Sequence, residues 1–360
     1  MVRKFGLLEY DTENIGDEIQ SIAARRFLPR VDYYFNRDNV DATKTRPDEK
    51  IKLIMNGWYT HHPENWPPKN PNLEPLLIAM HVEQEALDGR SAKAFLTDES
   101  KRFLEKFGPV GARNISTLEL LEKNGVRANF SGCITLTLCA DKQVRKRDFI
   151  LLVDVSDRVY QKVSKETKRP IYRLNTNRKK NLDRETRFLL AELWLLLYQS
   201  AHMVVTTRLH AMLPCLALET PVIGISGRDP KRYEGLIDLV NRMSEKEFLE
   251  SKINFEHPPK NPEDYKKMRK NLEEKCRDYT GFDAKKSYLD EKTPDELVNN
   301  PKLRQFFLDA VFDTWLAEEY SKAKINLEQT LENNRNVEYG IRDSLKLLMK
   351  ATKKRLKLKF

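Results

Sequence analysis

Cysteine is scarce in this chain: Cys133, Cys139, Cys215 and Cys276 are the only four among 360 residues. None forms a Cys-x-x-Cys pair or stands at zinc spacing from a histidine, so neither a disulfide framework nor a structural metal is expected. At least two lie in apolar strand or helix patterns, where a free thiol is a small hydrophobe, and a reducing compartment fits them. Long apolar runs are equally absent. Met1 to Tyr10 lacks the apolar core of a signal peptide and reads as a first strand. The most apolar stretch, Phe188 to Val205, carries Glu192, Gln199 and His202 and breaks at a strand, so a buried helix explains it better than a membrane span. There is no internal repeat and no low-complexity segment.

A one-signed body is missing too. The net charge is +10, but Ile341 to Phe360 holds eight basic residues against Asp343 alone, leaving about +3 for everything else. That balance argues against a nucleic-acid surface. Leu345, Leu348, Leu356, Leu358 and Phe360 alternate with the lysines of this tail. It is read as a solvated terminal helix, with weak peripheral contact to an anionic membrane surface as the other reading. The expected location is cytoplasmic, at most peripheral at the inner face of a membrane.

What the chain does have is 40% hydrophobic residues and charge of mixed sign, the composition of a globular protein large enough for two cores. Two alternating strand–helix series imply parallel sheets. The first has strands at Lys4–Tyr10, Asp32–Phe35, Lys50–Met55 and Leu76–His81, with an amphipathic helix at Ile15–Phe27. Helices at Glu99–Phe107 and Ser116–Asn124 and an apolar strand at Ile134–Cys139 complete it. After a polar connector, Asp141–Arg147, the second runs strand Asp148–Val155, helix Asp157–Glu166, strand Ile171–Asn175 and helix Asp183–Ser200. A strand to Val205, a helix Leu209–Leu218, a strand Thr220–Ile225 and a helix Tyr233–Met243 follow. Beyond Pro258 the chain is charged and helical, Leu303–Tyr320 being the best-patterned helix, expected to close the second domain or brace the first. The expected units are 1–145, 146–257 and a helical extension, 258–360.

The most informative stretch is Met203 to His210 (MVVTTRLH), which places Arg208 and His210 where a strand hands over to a helix. In open α/β sheets ligands bind outside the carboxyl ends of the strands. Residues two apart on an extended backbone point the same way, and the following helix aims unpaired N–H groups at the same spot. A fixed guanidinium fork, an imidazole and a helix N-terminus together describe a site for a small phosphorylated acid.

Other segments offer candidate substrate contacts. Asn14-Ile15-Gly16-Asp17 follows the first strand; Asn14 as N-cap and Asp17 as complement to the helix dipole explain both without function, while Gly16 permits close approach. The loop Phe107 to Asn114 delivers Arg113 just before a helix, facing either a cleft or solvent. Asn56 to Pro68 (NGWYTHHPENWPP) is aromatic and proline-rich. Its Trp58 and Tyr59 suit sugar rings, and His61 or His62 suits proton transfer, or else the loop is ordered by buried aromatics. Gly224 to Arg228 is too irregular for a phosphate-loop fingerprint, yet Ser226 within it and Lys231 beyond it suit a phosphate.

Together, Phe5–Gln20, Asn56-Gly57-Trp58, Gly108–Val126, Ser131–Leu138 and Thr207–Ile225 resemble the polysaccharide pyruvyl transferase family over roughly the first two-thirds of the chain. The resemblance implies an α/β, GT-B-like architecture, two Rossmann-like domains facing across a cleft, with 1–145 on the acceptor side and 146–257 on the donor side. It implies transfer of the enolpyruvyl group of phosphoenolpyruvate to sugar hydroxyls as a pyruvate ketal. It implies no cofactor beyond phosphoenolpyruvate as co-substrate, and a sugar or oligosaccharide acceptor, free or lipid-linked. The family's Arg-x-His pair, of donor binding and catalysis, falls on Arg208 and His210. The guanidinium would grip carboxylate or phosphate, and His210, protonated between those anions, would act as general acid. The Trp58 loop is more developed than the family's core needs. A GT-B glycosyltransferase using a nucleotide-sugar donor, and a catalytically silent glycan-binding relative, are the alternatives.

Overall fold

A strand covered on both faces needs no alternation, only apolar and β-branched residues in a row, and the sheets of this chain are built from such runs. A computed structural model describes residues 2–59, 61–177, 182–226, 230–282 and 286–303, with the backbone alone at 86, 87, 230 and 231. The first half holds β1 (Val2–Glu9), α1 (Gly16–Arg25), β2 (Tyr33–Asn36), β3 (Glu49–Trp58) and β4 (Leu73–His81). It continues with α2 (Arg90–Phe95), α3 (Asp98–Phe107), β5 (Val110–Ala112), α4 (Ile115–Lys123) and β6 (Ala128–Phe130). Its strands form one parallel sheet in the order β2-β1-β3-β4-β5-β6.

The second half holds β7 (Ile150–Val153), α5 (Asp157–Glu166), β8 (Ile171–Leu174), α6 (Arg184–Ser200), β9 (Met203–Thr206) and α7 (Leu209–Ala217). After these come β10 (Val222–Ile225), α8 (Pro230–Tyr233), β11 (Asn241–Met243), α9 (Glu245–Glu250), α10 (Tyr265–Thr280) and α11 (Pro294–Val298). Its parallel sheet runs β11-β10-β9-β7-β8. The architecture is mixed α/β with two parallel sheets.

The two halves share one large apolar cluster, beside a smaller one within each half. Helix α1 was expected to present one apolar face, but every residue from Gly16 to Ala24 is buried. The sheet lies on one side, and α6, α7 and the turn Ile134–Thr137 cover the others. Apolar contact runs from Phe5 and Ile19 through Leu136 to Leu151, Trp194 and Leu213 without interruption. Polar bonds stitch the same seam. Arg187 Nε donates to Glu18 Oε1 at 2.6 Å and Arg25 Nη2 to Glu192 Oε1 at 2.7 Å. The Ile15 N–H donates to Thr176 O at 3.1 Å, and Asn14 forms an isolated antiparallel bridge with Asn177.

Three expectations are corrected. Ile134–Cys139 is not a strand. Its residues form a 3-10 turn, Ile134–Thr137, buried against α1, α7 and α10. There the Thr137 hydroxyl donates to Ile134 O at 2.8 Å, a local bond that competes with sheet pairing. Tyr233–Met243 is not one helix, because Gly235 turns to φ +78 and ends α8. Asn241–Met243 instead pairs with β10 as the edge strand β11. The glycine turn before Arg113 is itself a short strand, β5, and β6 and α2 went unread.

Helix α10 spans both halves, as a brace and as a closure. Tyr265 Oη donates to Leu216 O at 2.9 Å on one side, while Lys275 Nζ reaches Asn129 Oδ1 at 2.7 Å on the other. Apart from Leu303 itself, the helix expected at Leu303–Tyr320 and the basic tail lie outside the described residues. All four cysteines are free thiols. No described helix is long and apolar enough to cross a membrane.

A shared core predicts shared unfolding. Urea denaturation followed by circular dichroism and by tryptophan emission should show one coincident transition. In Gly132→Ala a Cβ would overlap Met268 Sδ of α10, at φ +73. That variant should lose about 1–3 kcal/mol without splitting the transition. Two resolved transitions would show that the shared cluster does not couple the halves.

Candidate active site at the carboxyl ends of the strands

In each sheet the order of strand addition reverses once, between β1 and β3 in the first and between β7 and β9 in the second. Such reversals open a crevice beyond the carboxyl ends, where ligands bind. The chain packs its buried polar residues at both.

At the first crevice, Asn14 is displaced from its expected cap role: the helix N-cap is Ile15, and Asn14 Oδ1 instead accepts from the Gly16 N–H at 3.0 Å. Asp17 lies buried in the first turn of α1. It accepts from Thr12 Oγ1 at 2.7 Å and faces Arg37 Nη1 at 3.3 Å. Burial would raise its pKa, but Arg37, Thr12, His210 and Arg113 hold it below the ordinary carboxylate value. Arg37 follows β2, lies under the Tyr10 ring at 5.0 Å and grips Asp38 with two bonds of 3.0 and 2.8 Å. Next to it, β3 bulges at Met55–Gly57, where Gly57 takes φ +116, and a Cβ there would come within 3.4 Å of Arg37 Cδ. Bulges of this kind redirect side chains beside active sites. Asn56 in this bulge is wholly buried, with neither amide atom hydrogen-bonded among the described residues.

Arg113 leaves β5 with its backbone N–H on Met80 O at 2.7 Å. Its side chain is 1% exposed, and Nε and Nη2 have no hydrogen-bond partner among the described residues. Burial first, opposed by Cys133 and helped by Arg232, pushes its pKa down to about 10.

His210 comes from the other half. At the start of α7 its backbone departs from the helix (φ −82, ψ 20), and its ring packs on Gly16. A Cβ at Gly16 would lie 2.8 Å from His210 Nδ1 and 2.9 Å from His210 Cβ. The close approach foreseen at Gly16 is therefore made by the imidazole. His210 Nε2 is buried without a partner among the described residues. Burial, then Arg113, pushes the pKa of His210 down to about 3, with Asp17 opposing and Arg232 adding to the fall.

Arg208 and His210 have different neighbours. Arg208 is the N-cap of α7, on extended backbone, and its Nε donates to Asp154 Oδ2 at 2.9 Å across the β7–β9 reversal. Asp154 sits at φ +52 and also accepts from the Thr176 N–H at 3.1 Å. Because Thr176 O holds the Ile15 N–H, Arg208 is tied through Asp154 to the loop that carries Asn14 and Gly16.

The remaining candidates divide. Trp58 ends β3 between His61, at 5.2 Å, and His81, at 6.1 Å, with the Arg232 guanidinium 4.2 Å above its ring. Tyr59 and Trp66 are structural: Trp66 stacks on Phe95 at 4.0 Å and Tyr59 packs edge-on beside it. His62 is exposed and bonds Glu64 at 2.9 Å. Ser226 directs its N–H and hydroxyl to Met243 O, at 2.9 and 3.3 Å, and serves strand pairing. The side chain of Lys231 lies outside the described residues. Sequence reasoning missed Arg37, Asn56, His81 and Arg232. The first three lie at or just past the carboxyl end of a parallel strand, a position that was itself the available signal.

The family model for polysaccharide pyruvyl transferase matches residues 14–229, more than half of the chain. The chain belongs to that family and is, on that ground, a transferase of polysaccharide modification. No curated protein matches it. Among solved structures, a functionally uncharacterised protein from Klebsiella pneumoniae is 11% identical with a TM-score of 0.43, over 64% of this chain and 85% of that one. The wall teichoic acid polymerase TagF is 10% identical with a TM-score of 0.33, over 86% of this chain and 89% of that one. At those scores neither likeness bears on the reading of the site.

Two outcomes follow from this geometry. Gly16→Ala should displace His210 and reduce turnover at least about tenfold while the protein stays folded, which melting and steady-state rates would separate. The second concerns pH. His210 and His81 are pushed down to about 3 and about 4, His81 by burial and then Arg113. Both values lie below the unfolded value of about 6.5. Between those limits the unfolded chain binds more protons, so stability is full above pH ~6.5 and falls as pH drops toward 4 and 3. His210→Asn should lose melting temperature less steeply over that range than the native chain. An unchanged slope would put His210 in contact with water.

Proposed function

We propose that this member of the family transfers the enolpyruvyl group of phosphoenolpyruvate to two hydroxyls of a sugar, forming a pyruvate ketal and releasing phosphate. The observation that carries the reading is Arg113, buried with two guanidinium nitrogens unpartnered among the described residues, close enough to His210 to depress its pKa. An uncompensated buried cation costs several kcal/mol, and an arriving carboxylate or phosphate offsets that cost. In this reading the halves act as the two Rossmann-like domains of a GT-B-like enzyme, with 1–145 presenting the acceptor and 146–257 presenting Arg208 and His210 to the donor. Arg113 reaches the donor from the acceptor side.

The chemistry follows from charge. The donor's anions, set between Arg113 and Arg208, reverse the field at His210, which is neutral in the free protein, and raise its pKa. The imidazolium, supported by the fixed charge of Asp17, gives its proton to the methylene carbon, and a cation develops at the adjacent carbon. A sugar hydroxyl adds there and loses its proton. Phosphate then departs with its bonding electron pair, the second hydroxyl closes the ring, and its proton leaves with phosphate. Burial, then Arg37, lowers the pKa of His61. Beside Trp58, it is placed to accept a hydroxyl proton as a neutral base.

Calorimetry with phosphoenolpyruvate at pH 7, in two buffers of different ionisation enthalpy, tests this. The native protein should bind with net proton uptake, and affinity should fall as pH rises through the bound-state value of His210. Arg113→Ala should weaken binding at least about tenfold. His210→Asn should bind, take up fewer protons and lose turnover. Binding of a nucleotide sugar in place of phosphoenolpyruvate would sink the proposal in favour of glycosyl transfer.

A further inference from the structure

A surface hollow lies on the second half, between the edge strand β8, the last turns of α6 and the short helix α11. Its volume is about 660 Å³, within the ~300–1,000 Å³ of small-molecule sites. Buried Phe149, Leu174 and Leu196 form its floor, with half-buried Leu197 beside them. Tyr172 and Val298 also line it, 40% and 44% exposed. Among the described residues only one other large hydrophobic, Val2, is exposed, so two of the three meet at this hollow. Apolar exposure gathered in one place within a polar border marks a binding surface.

The border carries mostly one sign of charge. Arg145, Arg147 and Arg173 line the hollow against a single acid, Asp295. Arg173 is already engaged, its Nη1 donating to Asp157 Oδ1 at 2.8 Å. Arg145 and Arg147 are exposed, and their side chains make no hydrogen bond or ion pair among the described residues. Both precede β7, so they stand at the amino end of the second sheet, whereas Arg208 and His210 follow the carboxyl end of β9. From the arginines the apolar lining continues along β8, where Tyr172 and Leu174, two apart, share a face. Cations at one end and hydrocarbon along the rest match a molecule with an anionic head and an apolar chain. Such molecules bind through buried apolar area and charge attraction together.

We propose that this hollow is a second binding site, for a single-chain anionic amphiphile of the alkyl phosphate or long-chain carboxylate class. The head pairs with Arg145 and Arg147, and the chain lies between Tyr172 and Val298 over the floor. A recess, unlike a flat apolar face, takes one inserted chain in preference to the surface of a bilayer. The occupant bridges β8, α6 and α11 and stabilises the second half. The site lies at the opposite end of the sheet from Arg208 and is independent of the donor reading.

The full-length chain is titrated by calorimetry with octyl, decyl and dodecyl phosphate, each below its micelle concentration, and with decanol. Val298→Glu, the double variant Arg145→Gln with Arg147→Gln, and Arg113→Ala are treated alike, with melting as the check on folding. The native chain should bind one alkyl phosphate, about tenfold more tightly for each two methylenes added. Val298→Glu, at an exposed position, should stay folded and bind decyl phosphate at least about tenfold more weakly. The double variant should lose the preference for decyl phosphate over decanol. Arg113→Ala should bind with native affinity, because the cation of the candidate active site takes no part. Affinity that ignores chain length, native affinity in Val298→Glu or the double variant, or loss in Arg113→Ala would each overturn the proposal. So would retention on phosphatidylglycerol vesicles without binding of monomeric decyl phosphate, which would make this face a bilayer contact. Silence with every ligand overturns it as well.

Discussion

Helix α1 is buried on every side, and the site depends on that constraint. A helix at a protein surface is held by one stripe of side chains. This one is held by the first sheet, by α6 and α7, and by the Ile134–Thr137 turn at once. Polar residues in its first turn have to find partners inside the protein. Glu18 meets Arg187 at 2.6 Å, with burial pushing its carboxyl up to about 8 against the pull of that arginine. Asp17 meets Arg37, and Gly16 meets His210. Local rotation of α1 would move the wall of the imidazole and its nearest carboxylate together.

Around that fixed helix the electrostatics are deliberately unbalanced. Arg113 and His210 both stand near Asp17, which Arg37 already engages. Native proteins pair most buried charge, so Arg113, with two guanidinium nitrogens unpartnered among the described residues, marks a place where a ligand can bring the missing sign. Burial, and after it the charge of Arg113, keeps His210 unprotonated in the free protein. In the proposed reaction, an acid that becomes charged only when the donor's anions arrive does not lend its proton to water beforehand, and its readiness is set by the substrate.

Much of this was legible in the sequence, and the reasons for the rest are physical. The strands β7, β9 and β10 announce themselves as apolar β-branched runs, and the Arg208–His210 hand-over from strand to helix stands where periodicity placed it. Arg113, Asp17 and Gly16 were visible as punctuation beside strands. What periodicity cannot show is which partner a buried group finds. Arg208 and His210 look like one unit in the chain, yet the backbone turn between them gives one to Asp154 and the other to Asp17 and Arg113. Ile134–Thr137 carries strand-like residues but packs against α1, α7 and α10, and its threonines bond locally. Short strands such as β5 and β6, three residues each, fall below the length at which alternation is readable.

The contact between Gly16 and His210 has a consequence for descent. The two positions lie 194 residues apart in the chain, on different halves, yet a side chain at 16 evicts the imidazole. The halves are therefore locked into a joint history. A hybrid that joined the front of one such transferase to the back of another would keep its active site only if both parents had solved this packing problem in the same way. Recombination at the linker between the sheets is thus a narrow road to new specificity.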